Sequence, residues 1–223
     1  MHIPVQLPTL QNQSSEYKSS RLKLMSDTFE ELVKHLLEHS IRTGDFTLKS
    51  GRKSTWFCDA KQTACRPEGI LLIADAALEI IPDDITAIGG LTAGADPVAF
   101  GIAAAAAAKG RKLRSFSIRK ESKDHGVEGR LAGALYPGDK VVICEDTVTR
   151  GTSTLEAAQV VRNLGADPVM ILPVVDRGGT VVHWQQQKIL NFGRLLLPLI
   201  LDSPMTALSN YFTNRLFVPS FLR

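Results

Sequence analysis

Hydrophobic and polar residues follow one another along the chain in blocks that predict helices and strands in turn. Apolar residues at positions 29, 32, 33, 36, 37 and 41 recur at the spacing of an amphipathic helix, which we expect to stop at Gly44. Residues 46–60 alternate around a glycine-containing turn and predict a hairpin. Further strands are predicted over residues 85–88, 113–118, 141–144 and 169–175, and further helices over residues 67–81, up to residue 108, and over residues 153–164.

Strands that alternate with helices predict an α/β fold, in which a central, mostly parallel sheet is covered by helices on both faces. A chain of 223 residues with 44% hydrophobic residues is long enough for one compact domain and too short for two large ones. We assign this domain to residues 26–180. Residues 1–25 form a polar tail that we expect to be flexible, and residues 181–223 form an atypical segment whose structure the sequence does not predict.

Composition argues against several classes of protein. The first 20 residues lack the charged start and apolar core of a signal peptide, and no apolar run approaches the ~18 residues of a membrane span. We therefore expect a cytoplasmic protein with no membrane contact. Three cysteines without a CxxC spacing predict neither a disulfide framework nor a zinc site.

A short motif in the first helix also bears on metal binding. His35, Glu38 and His39 match the H-x-x-E-H pattern of some zinc peptidases. We expect these residues on the polar face of the helix, opposite its apolar stripe, and the sequence offers no further cluster of ligands. Since short motifs often match by chance, a solvated helix face is the favoured interpretation.

The most specific chemistry is encoded in VVICEDTVTRGTST, residues 141–154. Its strand leads into two adjacent carboxylates, Glu145 and Asp146, at the sheet edge where open α/β sheets bind ligands. Hydroxyl residues and Gly151 then open a helix whose N-terminal N–H groups favour an anion, and Ser153 and Glu156 have the spacing of a capping box. Two carboxylates repel phosphate but suit a polyol such as ribose, or a cation, beside it.

A strongly basic segment precedes this string. From Lys109 to Arg130 there are eight Lys or Arg against three Asp or Glu, a local charge of +5 in a chain of net charge +3. By charge alone, RKESKDHG at residues 119–126 is a solvated basic loop or part of a nucleic-acid surface. The aromatic residues typical of a nucleic-acid surface are missing, since Phe116 is the only ring nearby.

Together these strings resemble the orotate phosphoribosyltransferases, a family of type I phosphoribosyltransferases. Residues 141–154 are similar to the family's signature for phosphoribosyl pyrophosphate (PRPP): an apolar strand, two acids, two further residues, then Thr, a variable residue, Gly and two hydroxyls. Residues 119–126 are similar to the mobile catalytic loop, in which an Arg-Lys pair is followed by Lys-Asp-His-Gly. FTLKSGRKSTWFCDA, residues 46–60, is similar to the hood that covers orotate.

The resemblance implies an activity. The 5-phosphoribosyl group of PRPP would pass to orotate, giving orotidine monophosphate and pyrophosphate in pyrimidine biosynthesis, with Mg2+ held mainly through PRPP and not by direct protein ligands. A homodimer is implied as well, because the loop completes the site of the partner subunit in this family. The alternatives are another type I phosphoribosyltransferase acting on a purine or uracil, and a PRPP-binding regulator that is not an enzyme. Any decarboxylation of the product is expected on another chain.

The resemblance also implies roles for single residues. Catalytic roles fall to Arg119, Lys120, Lys123, His125 and Asp146, with His125 as a candidate proton donor. PRPP would be bound by Lys49, the same four loop residues, Glu145, Asp146, Thr147, Val148, Thr149, Arg150, Gly151, Thr152 and Ser153. Orotate would be bound by Phe57, Cys58, Thr149 and Arg177.

The role expected for Arg177 has a physical reason. Arg177 follows the strand at residues 169–175, and its planar guanidinium suits the carboxylate that distinguishes orotate from uracil.

Many relatives carry a pyrophosphate-binding lysine in the turn after the strand at residues 85–88, where this chain has Ala93, Gly94 and Ala95. Pyrophosphate is therefore expected to rest on backbone N–H groups of residues 90–94.

Overall fold

The structure is a computed structural model that describes residues 27–47, 51, 53–123 and 129–177, with Lys123 described for its backbone alone. The elements in chain order are α1 Asp27–His39, β1 Ile41–Thr47, β2 Lys53–Cys58, α2 Lys61–Ala64, α3 Pro67–Leu78, β3 Ala87–Leu91, α4 Ala95–Ala108, β4 Arg114–Lys123, β5 Gly129–Gly133, β6 Lys140–Val148, α5 Thr152–Asn163 and β7 Asp167–Asp176. The tail and the atypical segment lie outside the described residues, so the domain division stays a prediction.

Five strands form one sheet in the order β5-β4-β3-β6-β7, and β1 and β2 form a separate antiparallel hairpin. Strands β4, β3, β6 and β7 are parallel to one another, and β5 is antiparallel at the edge. The predicted α/β fold with a mostly parallel sheet is confirmed. Because α4 leads from β3 to β4 and α5 leads from β6 to β7 in the opposite direction, the strand order reverses between β3 and β6. Open α/β sheets bind ligands in the crevice at such a point.

Side chains of the central strands alternate between two hydrophobic cores. On β6, Val142 and Cys144 pack with apolar residues of α1, α3 and α4, whereas Val141 and Ile143 pack with α5. This period of two buries both faces of the sheet. Each fully buried Val or Ile stabilises the fold by about 1.5–3 kcal/mol, so the sheet is a rigid base for the loops at its edge.

The basic segment differs from its prediction. Residues 119–123, expected in a loop, belong to β4, and the unpredicted strand β5 pairs with them through Lys123 and Gly129. Arg119 Nη1 donates to the Leu131 carbonyl oxygen at 3.1 Å, and Arg130 Nε donates to the Arg119 carbonyl oxygen at 2.6 Å. These long-range bonds stabilise a strand that shows no hydrophobic alternation in the sequence.

The end of the first helix was also predicted wrongly. Helix α1 ends at His39, and Ile41 begins β1, where it pairs with Cys58 of β2. Ser40 joins the two elements, because its N–H donates to the Leu36 carbonyl oxygen and its own carbonyl accepts from the Asp59 N–H. Ile41 fits both a helix and a strand pattern, and hairpin pairing decides between them.

His35 does not lie on a solvated helix face. It is buried, its Nδ1 lies 3.2 Å from Thr63 Oγ1, and Ser40 Oγ lies 2.7 Å from the same hydroxyl. Burial, and next the neighbouring His39, lower the pKa of His35. The expectation was wrong for His35, because helices α2 and α3 cover this part of the helix, whereas Glu38 is exposed and His39 is half-buried. Within the described ranges, no three His, Cys, Asp or Glu side chains are grouped as metal ligands.

Two further sequence expectations concern cysteines and membrane spans. Cys58, Cys65 and Cys144 are all unpaired, and Cys144 is buried within β6. In the part of the chain that the structure describes, no helix is both long and apolar enough to cross a bilayer.

Candidate active site

Two acidic side chains lie at the carboxyl end of β6. Glu145 and Asp146 are only 7% and 6% exposed. The strand continues past them to Val148, beyond the predicted end at residue 144, because β7 pairs with it as far as Asp176. Both carboxylates are therefore held on regular backbone beside the crevice between β3 and β6.

The turn between β3 and α4 lies directly against these carboxylates. A Cβ atom on Gly94 would overlap Glu145 Oε1 and would lie 2.7 Å from Asp146 Oδ1, and one on Gly90 would overlap the Cys144 carbonyl oxygen. Because Gly90 and Gly94 have no side chains, the end of β3 and the turn after it can lie against the end of β6. The backbone of residues 90–94 and the two acids thus line one site.

The two carboxylates interact strongly. Glu145 Oε1 accepts from the Asp146 N–H at 3.3 Å, and Asp146 Oδ1 accepts from the Thr147 N–H at 2.7 Å. Burial, and next the negative charge of Asp146, raise the pKa of Glu145 to about 8. Near neutral pH the pair therefore carries less than two full negative charges. Such a pair can both accept and donate hydrogen bonds, as the hydroxyls of a polyol require.

Lys61, at the start of α2, completes this cluster, and sequence reasoning missed it. Its Nζ donates to Asp146 Oδ2 in an ion pair in which the lysine side chain is 45% exposed and the aspartate 9%. Although burial would lower it, the hydrogen bond to Asp146 raises the pKa of Lys61. No local pattern joins residues 85 apart in the chain, and the four-residue helix α2 was not predicted.

The N-terminus of α5 lies next to the acids along the chain. The helix begins at Thr152 after Gly151, which has φ +72°, a conformation that costs a non-glycine residue about 1 kcal/mol. No side chain caps the first turn. The expected capping box is wrong, because Glu156 pairs with Arg130 instead. First-turn N–H groups lack acceptors within a helix and bind anions readily.

The predicted basic residues are described only in part. Arg119 is half-buried on β4, where it donates to β5, and Lys120 is exposed. The Arg130–Glu156 ion pair ties the β4–β5 hairpin to α5. Lys49, His125 and the side chain of Lys123 lie outside the described residues.

The hairpin β1–β2 contacts the same edge of the sheet. Cys58 Sγ lies 4.0 Å from Thr147 Oγ1 and is buried, whereas Phe57 is 41% exposed and its ring lies 5.7 Å from that of Phe46. Burial raises the pKa of the Cys58 thiol to about 11, so the group is neutral. Phe57 and Cys58 thus point to opposite faces of β2, and it is Cys58 that faces the end of β6.

Arg177 lies where the sequence places it, directly after β7. Its N–H donates to the Val148 carbonyl oxygen at 2.8 Å, so it is held beside the end of β6. Its Nη2 donates to Ser54 Oγ at 2.8 Å and to the Trp56 carbonyl oxygen at 2.9 Å. Trp56, a further contact that sequence reasoning missed, is buried under the guanidinium.

The remaining predicted residues lie at the end of β6, in the loop after it and at the start of α5. Thr147 is half-buried and Val148 buried, Thr149, Arg150 and Thr152 are exposed, Gly151 is buried, and Ser153 is half-buried. The structure therefore brings together the acids, the β3–α4 turn, Lys61, Cys58 and Arg177 around one end of the sheet.

Comparisons with known proteins give consistent results. No protein-family model matches the chain. The orotate phosphoribosyltransferase of Streptomyces coelicolor is 38% identical over 154 residues, which cover 69% of this chain and 85% of that protein. A crystal structure of Mycobacterium tuberculosis orotate phosphoribosyltransferase in complex with PRPP is 31% identical, with a TM-score of 0.62, and the match covers 76% of this chain and 95% of that one. A phosphoribosyltransferase from Corynebacterium diphtheriae is 31% identical with a TM-score of 0.65, covering 78% and 97%.

Proposed function

Because the chain belongs to the orotate phosphoribosyltransferase family, we propose an arrangement of PRPP and orotate on its residues. The family resemblance and the type I phosphoribosyltransferase fold expected from the sequence are confirmed. The activity is that of a pentosyl-transferring enzyme, which moves the phosphoribosyl group of PRPP to orotate and releases pyrophosphate.

The ribose and its phosphate are proposed at the end of β6. Glu145 and Asp146 would accept hydrogen bonds from the ribose hydroxyls, and the backbone from Thr149 to Ser153 would hold the 5-phosphate. The observation that carries this proposal is the position of two buried carboxylates directly before an uncapped helix N-terminus. Carboxylates suit the hydroxyls, and free N–H groups suit the phosphate.

Catalysis in this arrangement acts mainly on the leaving group. The bond from the ribose anomeric carbon to pyrophosphate breaks as the orotate nitrogen bonds to the same carbon and releases its proton to solvent, so positive charge builds on the ribose and negative charge on pyrophosphate. We assign Arg119, Lys120, Lys123 and His125 to that negative charge, with His125 as a candidate proton donor. The backbone N–H groups of Ala93 and Gly94 would add donors. The expected row of donors over residues 90–94 is shorter than predicted, because Gly90 and Leu91 belong to β3 and the Thr92 N–H donates to the Ile118 carbonyl oxygen. Donors placed in advance stabilise developing charge.

The donor chemistry fits Mg2+ carried by the substrate. Carboxylate oxygens of Glu145 and Asp146 are hard ligands of the kind Mg2+ prefers, and Mg2+ commonly binds one or two carboxylates together with substrate phosphates. We infer that Mg2+ is held mainly by PRPP beside these acids. When bound, it would offset charge on the pyrophosphate.

Orotate is proposed between the hairpin and the end of β7. Arg177 would bind the orotate carboxylate, and Cys58, Phe57 and Thr149 would surround the ring. The position of Arg177 next to Val148 supports this role, because it brings a guanidinium to the strand that carries the ribose site. Since Phe57 and Cys58 face opposite ways, Cys58 and the backbone of β2 are the closer candidates for the ring.

The assembly and location of the protein stay proposals. A homodimer that shares its basic loops is proposed from the family alone, and cytoplasmic localisation from the sequence. Orotate as acceptor is favoured over a purine or uracil by the RKESKDHG string and by the family.

The test is an assay of orotate consumption with PRPP and Mg2+, with adenine, hypoxanthine and uracil as alternative acceptors. We expect orotate to be consumed, with release of one pyrophosphate per orotate, and no turnover of the other bases. Consumption of another base alone would point to a different type I phosphoribosyltransferase. PRPP binding without turnover of any base would favour the regulator.

The same assay tests the ribose site. Asp146→Asn should fold normally and should lose about 1.5–3 kcal/mol of transition-state stabilisation, the range for hydrogen bonds to charged groups. Asp84→Asn, at an exposed ion pair with Lys140, is the control and should keep wild-type turnover. Wild-type turnover in Asp146→Asn would remove Asp146 from the site.

A further inference from the structure

We propose that Lys61 is a positioning residue that fixes the Asp146 carboxylate for the ribose hydroxyls and offsets its charge beside the polyphosphate. This inference rests on the proposed ribose site. It concerns a residue on α2, outside the strings that resemble the family's signature, catalytic loop and hood.

The geometry around Asp146 supports a positioning role. Thr147 N–H donates to Oδ1, and Lys61 Nζ donates to Oδ2, so each carboxylate oxygen has one fixed donor. A carboxylate has about four lone-pair sites, so two remain for two neighbouring hydroxyls. Lys61 therefore fixes the orientation of the carboxylate and leaves lone pairs that can accept from the ribose hydroxyls.

The position of Lys61 itself is fixed by the core. It follows hood strand β2 after Asp59 and the fully buried Ala60, and Thr63 of the same helix is held by His35 and Ser40. The backbone that carries the ammonium is thus anchored on two sides. Groups that are held by such supporting contacts are the ones that keep a binding geometry.

The charge balance gives Lys61 a second effect. PRPP is a polyanion, and the negative charge of Asp146 at its ribose would repel it. The ammonium group of Lys61, which donates directly to Asp146, offsets that charge where the aspartate is buried. Charges interact more strongly in such a site than in bulk water, so the loss of this ammonium should weaken PRPP binding.

A structural ion pair is the competing explanation. Lys109 pairs with Asp75 at 2.6 Å, with side chains 56% and 42% exposed. Exposed pairs of this kind contribute little to stability. Lys109→Met is therefore a matched control for Lys61→Met, because both changes remove an ammonium from a lysine–aspartate pair.

The first experiment measures PRPP binding by calorimetry and the KM of each substrate. Lys61→Met should weaken PRPP binding about 10- to 100-fold, the effect of losing one charge-assisted hydrogen bond. The KM for orotate should change little, and Lys61→Arg should restore most of the affinity. Lys109→Met should match the wild type. Wild-type PRPP affinity in Lys61→Met, with an unchanged Tm, would overturn the proposal.

A double-mutant cycle separates action through Asp146 from direct contact with pyrophosphate. If Lys61 acts through Asp146, then Lys61→Met should cost little more in an Asp146→Asn background, and binding of ribose 5-phosphate should weaken as PRPP binding does. Additive losses, or a loss confined to PRPP, would overturn the positioning role.

Two controls keep the outcome interpretable. If Lys61→Met lowers the Tm, PRPP binding is compared at a temperature at which both the variant and the wild type are folded. Weaker PRPP binding by the folded variant supports the proposal, and unchanged binding overturns it. PRPP binding by the wild type tests the proposed function separately, so a failure of that function is distinguished from a failure of the role given to Lys61.

Discussion

The guanidinium of Arg177 lies over the indole ring of Trp56, with 4.2 Å between its carbon and the ring centroid. The same guanidinium donates to the Trp56 carbonyl oxygen, so two contacts join the end of β7 to the hairpin β1–β2. A cation–π contact contributes about 0.5–2 kcal/mol, more when water is excluded. Trp56 therefore holds Arg177 in a defined orientation at the proposed orotate site.

The first prediction follows from this contact. Arg177→Ala should raise the KM for orotate strongly, because the substrate carboxylate loses its charged hydrogen-bond donor, while PRPP binding should stay nearly unchanged. Arg177→Lys should recover only part of the loss, since an ammonium lacks the planar fork of donors. Steady-state kinetics with each substrate varied in turn measure both effects.

The contact with Trp56 adds a control to this prediction. Trp56→Leu should raise the KM for orotate less than Arg177→Ala does, because the guanidinium stays but loses its support. Unaltered orotate kinetics in Arg177→Ala would remove Arg177 from the orotate site, and with it a main reason for preferring a carboxylated base.

A second prediction concerns the close approach of Gly94 to the acids. Its backbone, at φ −67° and ψ −47°, accepts any residue, so Gly94→Ala acts through its added methyl group alone. That methyl group would overlap Glu145 and displace both carboxylates, at a cost of about 1–3 kcal/mol for an overpacked site. We expect PRPP affinity to fall at least about tenfold.

Calorimetry with PRPP measures this effect. Ala107, exposed near the far end of α4, offers a control, because Ala107→Ser adds one atom at the surface away from the turn. PRPP affinity equal to that of the wild type in Gly94→Ala would mean that the ribose does not depend on the position of these acids.

Much of the fold was predictable, because the hydrophobic pattern of each core element shows which of its faces are buried. Strand β6 needs two buried faces and shows an unbroken apolar run, and α1 buries one stripe and shows a period of about 3.6. Strand β5 has no such pattern, because Gly129 and Gly133 carry no side chain to alternate. Its pairing with β4 depends on Arg119 and Arg130, whose partners are distant in the sequence.

The residues of the candidate site likewise fall into a group that the sequence predicts and a group that it does not. Glu145, Asp146 and Gly151 lie in one continuous string. Their residue types fit a polyol next to a phosphate, and the resemblance to the family's PRPP signature decides for this interpretation over an ordinary strand-turn-helix. Lys61 and Trp56 reach the site only through the fold: one by an ion pair to β6, the other by stacking against the residue after β7. Contacts between residues so far apart leave no periodicity in one sequence, and this is why both were missed.

A third prediction concerns the basic loop, and it rests on the family resemblance. Lys123→Ala and His125→Ala should lower kcat far more than they weaken PRPP binding, because groups that act on the departing pyrophosphate are most effective in the transition state. Single-turnover kinetics and calorimetry separate the two effects. Equal losses in PRPP affinity and kcat/KM would place these residues in ground-state binding instead.

A fourth prediction tests whether two subunits share a site. Mixing Lys123→Ala subunits with Asp146→Asn subunits should raise the activity above that of either variant alone, because a hybrid dimer then contains one site with both residues intact. Random pairing gives about a quarter of the wild-type sites. No recovery after the subunits have exchanged would argue that each chain supplies its own loop.

The last prediction concerns stability at the opposite end of the sheet. Asp139 is buried just before β6 and accepts from Arg114 Nη1 at 3.0 Å, from Thr86 Oγ1 at 2.9 Å and from the Tyr136 N–H at 2.7 Å. Burial alone would raise the pKa of Asp139, but these hydrogen bonds, led by that from Arg114, hold it below its ordinary value. The charged form is thus favoured in the folded state.

A lowered folded-state pKa fixes the sign of the pH effect. The stabilisation by Asp139 is complete above the unfolded-state pKa of about 3.9 and is lost as the pH falls through the folded-state value. Asp139→Asn should therefore lower the free energy of unfolding by about 1.5–3 kcal/mol at pH 7, and by less as the pH falls below about 4. Urea unfolding of the wild type and Asp139→Asn at pH 7 and below pH 4 measures this difference. Asp84→Asn, whose carboxylate pairs with Lys140 at the surface, should change the free energy of unfolding little at either pH. A penalty for Asp139→Asn that does not shrink in acid would show that its charge is not what stabilises this corner of the sheet.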